Sequence, residues 1–189
     1  MIEEQIQQAV EVLKKGGIIL YPTDTVWGIG CDAANDKAVE KILKLKKSED
    51  KKSMLVLVDK LDNVSRYVSK VPDVAWQLFE VSESPLTLIL PGGCAVSDNL
   101  LPQERTIAIR VPKDDFLSKL LRRFPRALVS TSANISGEDT PTKFRDIAQE
   151  ICQGVDFIFA PECESRTATH KASSIISVSE GGVIKIIRE

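Results

Sequence analysis

Two short stretches hold the residue types best suited to chemistry. Thr23-Asp24-Thr25 lies between Pro22 and the pair Gly28 and Gly30, directly after an apolar run over 18–20. Pro22 fixes its own φ and pushes Tyr21 toward extended geometry, and the glycines allow backbone shapes that other residues resist. Such a turn presents hydroxyls and backbone N–H groups to a ligand at a fixed place. The same composition also suits an ordinary strand-to-helix loop. Ser130-Thr131-Ser132-Ala133-Asn134-Ile135-Ser136-Gly137 repeats the pattern after a second apolar stretch. Local capping accounts for one such loop, because Ser, Thr and Asn satisfy neighbouring backbone groups. Two of them suggest a single crevice built from strand ends, where ligands of open α/β sheets bind. Hydroxyls, an amide and nearby lysines suit an anionic, phosphate-bearing ligand rather than a lipid.

Other motifs carry less. Gly28-x-Gly30-x-x-Ala33 matches a dinucleotide fingerprint in form, with Glu49 or Asp50 at about the expected distance. That fingerprint needs its first glycine directly after the strand and its acid at the end of the second strand. Here residues 22–27 intervene and the acids sit in a lysine-rich loop. His170 is the sole histidine and no G-x-S-x-G elbow is present, which argues against a Ser-His-Asp hydrolase. Cys31, Cys94, Cys152 and Cys163 are scattered without a C-x-x-C pair, so reduced thiols and no structural metal are expected.

The elements that must position these residues follow from periodicity. Ile2, Ile6, Ala9, Val10 and Leu13 predict a helix stopped at Gly16-Gly17, and 18–21 a strand. Asn35 or Asp36 caps a second helix striped by Ala38, Val39, Ile42, Leu43 and Leu45. Strands are predicted over 54–58, 86–90, 106–111, 127–130 and 157–160. Helices are predicted after Asp59 and Asp62, from Pro72-Asp73, over 116–124, and through Phe144, Ile147, Ala148 and Ile151 with Gly154 as C-cap. Residues 161–171 read as a mobile surface loop. Strands over 174–178 and 183–187 form a closing hairpin around Glu180-Gly181-Gly182, which makes the sheet mixed. The expectation is one α/β domain over 1–189, a twisted mixed sheet with flanking helices.

Bulk properties narrow the function classes. The chain has 189 residues, 43% apolar and 28% charged, ordinary for a soluble globular protein. Its longest apolar run, 54–58, is too short to cross a bilayer, and the acidic first eight residues exclude a signal peptide. A cytoplasmic protein with no membrane partner is expected. Net charge is −2, so no global basic field holds nucleic acid. Residues 37–52 nevertheless contain seven lysines against three acids, and 119–126 four basic residues and no acid. These are either solvated helix faces or parts of one anion-binding surface, and composition does not choose.

Motifs in order along nearly the whole chain are similar to those of one family. Residues 22–30, Pro-Thr-Asp-Thr-Val-Trp-Gly-Ile-Gly, resemble the P-T-[DE]-T-V-Y-G-L-G signature of the YrdC-like (TsaC) family, and 130–134 resemble its S-T-S-A-N motif. Lys46 with the strand over 54–58 resembles its K-x-R loop and following strand. Pro85-Leu86-Thr87, Ile109-Arg110-Val111-Pro112, Ser173-Ser174-Ile175-Ile176 and Arg188 resemble further segments. The resemblance implies a twisted mixed α/β fold with a concave basic site, in the short form without an extra C-terminal domain. It implies an L-threonylcarbamoyladenylate synthase that joins L-threonine, bicarbonate and ATP with release of pyrophosphate. Partner proteins would then transfer the threonylcarbamoyl group to tRNA.

By the same resemblance Thr23 and Thr25 belong to the L-threonine side and Arg110 binds the substrate carboxylate, with Ser173 or Ser174 closing that side. Lys46, Thr106, Ser132, Asn134, Thr140 and Arg188 would hold ATP, Lys46 and Arg110 would carry the catalysis, and Mg²⁺ would ride on the phosphates. Departures are visible. The K-x-R arginine falls on Ser48, or a shifted register uses Lys44 and Lys46; either way a guanidinium is missing, and Lys47, Lys51 or Lys52 would supply charge less specifically. Trp27 replaces a usual tyrosine as a flat apolar wall, and Glu83-Ser84 stand where glycine is usual. Two other readings remain: a non-catalytic module gripping tRNA or double-stranded RNA through the basic runs, and a carbamoyl-adenylate activity using carbamoyl phosphate.

Overall fold

Alternation along the strands explains the layering. The computed structural model describes residues 1–48 and 54–189. In it nine strands form one mixed sheet: β1 (Ile19–Tyr21), β2 (Gly28–Gly30), β3 (Leu55–Leu57), β4 (Leu86–Leu90), β5 (Ile107–Arg110), β6 (Leu128–Ser132), β7 (Phe157–Ile158), β8 (Ser174–Val178) and β9 (Ile184–Arg188). Their order is β7-β1-β2-β6-β3-β5-β4-β8-β9. β1–β7, β3–β5 and β4–β8 pair parallel and the remaining pairs antiparallel, including the closing β8–β9 hairpin.

Successive strand side chains point to opposite faces, so each strand feeds two layers. Leu20, Ile29, Val56, Leu88, Ile109 and Val129 face one layer, packed under α2 (Asp36–Leu45) and α3 (Asp73–Val81). Ile19, Tyr21, Leu57 and Leu128 face the other, under α1 (Ile2–Lys14) and α4 (Asp115–Arg123). Asn35, one of the two caps the sequence suggests, accepts from the Ala38 N–H at 3.0 Å, and Asp114 caps α4 by accepting from the Leu117 N–H at 2.8 Å.

Several expectations change. Gly28–Gly30 is a strand, paired to β1 on one side and β6 on the other, so the opening stretch is a hairpin connection and not a strand-to-helix loop. Neither glycine has positive φ; the need is space. A Cβ on Gly30 would stand 2.6 Å from the Val129 carbonyl oxygen and 2.8 Å from the Tyr21 ring. β6 runs to Ser132, two residues into the expected loop. The helix expected across 144–151 is split: extended backbone at Ile147 and Ala148 separates a 3-10 turn, Phe144–Asp146, from α5 (Gln149–Gly154). Gly154 ends α5 without capping it. Its missing Cβ makes room for Leu45, whose Cδ1 would lie 2.2 Å away. No helix of the described residues is long and apolar enough to cross a membrane, and all four cysteines are free. Glu49, Asp50, Lys51 and Lys52 lie outside the described residues.

Candidate active site

α1 and α4 cover only part of their sheet face. The rest forms the floor of a cavity of about 270 Å³. Its floor residues, Leu55, Thr87, Ile89, Ala108, Arg110, Ser130, Ser132 and Ile175, are alternate positions of five strands. The site is therefore an open sheet face and not the crevice of strand ends expected from the two loops. Thr23, Thr25, Val26 and Gly28 make one wall, and Thr140, Ala172, Ser173 and Arg188 contribute to the rest.

The opening loop is held by a defined chain of hydrogen bonds. Thr23 Oγ1 donates to the Val26 carbonyl at 2.7 Å and accepts the Thr25 N–H at 3.0 Å. Its single proton being spent, the 2.8 Å contact between the two hydroxyls requires Thr25 Oγ1 to donate to Thr23. Thr25 Oγ1 in turn accepts from Arg110 Nη1 at 3.0 Å. Thr23 is saturated, so its hydroxyl shapes the loop and orients Arg110 through Thr25.

Arg110 is 3% exposed and lies 3.3 Å from Asp24 Oδ1 through the same Nη1. That contact is electrostatic only, for Asp24 Oδ1 and Arg110 Nε both lack a hydrogen-bond partner. Burial raises the Asp24 carboxyl above the ordinary carboxylate range, with the Arg110 guanidinium opposing the shift. A second guanidinium stands in the same cross-strand row. Arg110 pairs with Thr87, Thr87 with Ile175, and Ile175 with Arg188. A bulge places Arg188 there. Ile176 pairs with Ile186 and Ile175 with Arg188, so Ile187 is the extra residue. Without that slip Ile187 would oppose Ile175 and Arg188 would turn to the other face. Arg188 Nε and Nη2 donate to the Ser173 carbonyl at 2.9 and 2.7 Å, and Ser173 Oγ meets Thr87 Oγ1 at 2.7 Å. Desolvation first and then Arg110 pull the Arg188 guanidinium below its usual range. Two arginines share the cavity, with Asp24 beside Arg110 and, among the described residues, no acid salt-bridged to Arg188. The unpartnered Arg110 Nε beside an excess of positive charge calls for an anionic ligand.

Lys46 enters from behind. α2 ends in a turn in which the Lys47 N–H bonds the Lys44 carbonyl and the Ser48 N–H the Leu43 carbonyl, with Lys47 left-handed at φ 52°. This closure leaves Lys46 as the cap residue, 3% exposed, with Nζ donating to the Ser132 carbonyl at 2.7 Å and the Asn134 carbonyl at 2.6 Å. The Lys46 carbonyl accepts the Ser136 N–H at 2.9 Å. One side chain and one carbonyl thus pin the whole Ser132–Ser136 turn. Burial pulls the ammonium down to about 8. Asn134 Nδ2 closes the same turn through the Ile135 and Glu138 carbonyls, leaving Oδ1 without a partner.

Of the residues expected from sequence, Thr23, Thr25, Arg110, Ser132, Thr140, Ser173 and Arg188 line the cavity. Lys46 and Asn134 back its wall, and Thr106 sits just before β5 without lining it. Between the two serines, Ser173 lines the cavity and Ser174 does not. Trp27 is no wall of the site: at 1% exposure it packs on the opposite layer against Phe144, ring centroids 4.9 Å apart. Lys47 supplies no charge to the cavity, being paired with Glu150 at 2.9 Å. Lys51 and Lys52 lie outside the described residues, and Lys44 is exposed on α2. The loop over 161–171, read as a mobile surface loop, is tied to both rims. The Thr169 N–H bonds the Asp24 carbonyl at 2.9 Å, and His170 Nδ1 lies 3.1 Å from the Thr142 carbonyl. Asp24 belongs to the polar turn the sequence singles out, but its place beside Arg110 comes only from the structure; for Thr87 the signal is a lone polar residue in the apolar strand over 86–90.

Among the described residues the basic runs do not join into one surface. Lys119 and Arg123 pair with Glu3 of α1, Arg126 with Asp32, Lys41 with the Gly16 carbonyl, and Lys46 points inward.

Comparison with known proteins places these features in context. The family model Sua5_yciO_yrdC, described as "Telomere recombination", matches residues 11–189. A protein of Pseudoalteromonas translucida (strain TAC 125) named threonylcarbamoyl-AMP synthase is 31% identical over 158 residues, 82% of this chain and 84% of that one. Among solved structures, P. abyssi Sua5 complexed with L-threonine superposes with a TM-score of 0.83 at 25% identity, covering 92% of this chain and 50% of that chain. E. coli YciO gives a TM-score of 0.80 at 27% identity, covering 97% and 88%. The chain thus spans about half the length of the Sua5 protein it matches.

Proposed function

This chain belongs to the Sua5/yciO/yrdC family, and from that premise we propose that it is a threonylcarbamoyl-AMP synthase acting in the cytoplasm. It joins L-threonine, bicarbonate and ATP, and its product is handed to tRNA-modifying partner proteins. The observation that carries this reading is the cross-strand row that sets Arg110 and Arg188 on one open sheet face, with Asp24 beside Arg110. A ligand that brings one carboxylate and several phosphate oxygens suits that row.

The chemistry assigns the parts. The threonine nitrogen attacks the bicarbonate carbon, an N–C bond forms, and water is lost to leave a carbamate. A carbamate oxygen then attacks the α-phosphorus, and the bond to the bridging oxygen breaks to release pyrophosphate. No group of the protein is covalently modified, so positioning and charge neutralisation supply the rate. Arg110, with its Nε free and Nη1 fixed by Thr25, meets the threonine carboxylate. Asp24, the acid beside it, faces the amine side. Arg188, Ser132 and Thr140 meet the nucleotide, with the Asn134 Oδ1 and the third N–H of Lys46 behind them. Thr106 extends the nucleotide side. Mg²⁺ arrives on the ATP phosphates, as a cation that keeps most of its waters and needs few protein ligands.

The test is pyrophosphate release from ATP and bicarbonate, with and without L-threonine. Release independent of L-threonine, or supported by carbamoyl phosphate in place of bicarbonate and threonine, would overturn this assignment.

A further inference from the structure

The strand pair that carries the cavity's polar face leads to a second concavity at its other end. Leu55 and Ser130 pair at the candidate active site, and Leu57 and Leu128 pair two residues on. Past them, Val58 and Ala127 border a cavity of about 250 Å³. Lys60, Arg66, Arg122 and Arg126 line it against one acid, Asp59. That is a concentrated surplus in a protein of net charge −2.

The acids nearby are already engaged. Asp59 Oδ1 accepts from Asn63 Nδ2 at 2.6 Å, and Asp32 Oδ2 holds Arg126 Nη2 at 2.7 Å. Arg126 is held further by Phe124, its guanidinium 5.5 Å from the ring centre. Among the described residues Lys60, Arg66 and Arg122 have no acidic partner. A second observation is independent of these charges. Tyr67 lines the cavity at 7% exposure, and its oxygen accepts the Ala127 N–H at 2.8 Å. Its own proton meets no acceptor among the described residues. The hydroxyl therefore keeps a donor for an acceptor that enters the cavity.

The cavity therefore offers donors and cations, and its missing half is an anion with several oxygens. Guanidinium forks match the oxygens of a tetrahedral phosphate, and a phenol donor adds a directed bond. We propose that this cavity is a second anion site, separate from the candidate active site, that binds a phosphate group. That group is either a free pyrophosphate or phosphate ion or the backbone of an RNA strand. Neither depends on the activity proposed above.

The experiment uses the whole chain at low salt. Calorimetric titration with inorganic pyrophosphate is run beside anisotropy of a labelled short RNA duplex, for wild type, Arg66→Ala/Arg122→Ala, Tyr67→Phe and Arg110→Ala. Binding that survives Arg110→Ala, weakens about tenfold or more in the double variant and about threefold in Tyr67→Phe supports the site. If only the RNA shows that pattern, the phosphate comes from a polynucleotide; if only pyrophosphate does, it is a free ion. Thermal melting of each variant confirms that the fold persists. Binding of neither probe to wild type, or binding lost in Arg110→Ala and untouched in the double variant, overturns the proposal.

Discussion

The two cavities at opposite ends of the β3–β6 pair invite comparison. Both are rich in cations, yet they use charge differently. At the first, Arg110 and Lys46 are each 3% exposed and held by hydroxyls or carbonyls, with a strained turn and a strand bulge supporting the arrangement. At the second, Lys60, Arg66 and Arg122 stand exposed around a single buried phenol. The first has fewer charges but deprives Arg110 and Lys46 of water, so these two interact strongly and with fixed direction. The second has more, but solvent and salt screen them. Counting basic residues ranks these regions in the wrong order for chemistry; burial and orphaned atoms rank them better.

The largest effect that would sharpen this contrast is expected at Arg110. Arg110→Ala leaves Asp24 without its cation, and threonine-dependent pyrophosphate release is expected to fall by roughly 10²–10³-fold, with a loss of about 3 kcal/mol in folding stability. Arg110→Lys should not restore activity, because one ammonium cannot hold Thr25 and also reach a carboxylate bidentately. Steady-state rates and denaturant melts check both. A loss under about threefold would break the comparison.

Lys46 comes next. Below about pH 8 its ammonium is charged, and above it the amine is neutral while still donating to the two carbonyls. ATP should bind more weakly as pH rises through 8, which KM for ATP between pH 7 and 9 will report. Lys46→Met should lower the rate by roughly 10²-fold and flatten that profile. The stability sign is opposite. Between about 8 and the ordinary lysine range the unfolded chain holds a proton that the folded chain has released, so this residue's contribution rises with pH there.

Asp24→Asn tests the acid beside Arg110. Without its charge KM for L-threonine is expected to rise about tenfold with a smaller change in kcat. An unchanged KM would remove Asp24 from the amine side. The smallest effect on catalysis is expected from Arg66→Ala/Arg122→Ala, under about twofold in threonine-dependent release, since exposed charges at the far end contribute little there. A large loss would show the two ends to be one machine.

Much of this protein was legible along the chain. The apolar stripes of α1, α2 and α4, the cap at Asn35, and the closing hairpin all arise from local periodicity and local hydrogen bonding. Both hydroxyl-rich stretches were visible as well, because buried apolar strands make adjacent polar residues conspicuous. Gly28–Gly30 was not legible as a strand, since two glycines confer no strand preference and only β1 and β6 on either side impose it.

The sequence by itself determined most helices and strands and which side chains alternate along them, because those depend on neighbours a few residues away; Gly28–Gly30 and the break at Ile147 and Ala148 were exceptions. Only the tertiary structure decided which face each alternating set would use. It left one sheet face partly uncovered and sent Trp27 to the opposite layer. It set Arg188 beside Arg110's row through a single extra residue, and drew Lys46 out of water and away from its lysine-rich run. These outcomes depend on register and desolvation between segments far apart in the chain, and no local pattern encodes either.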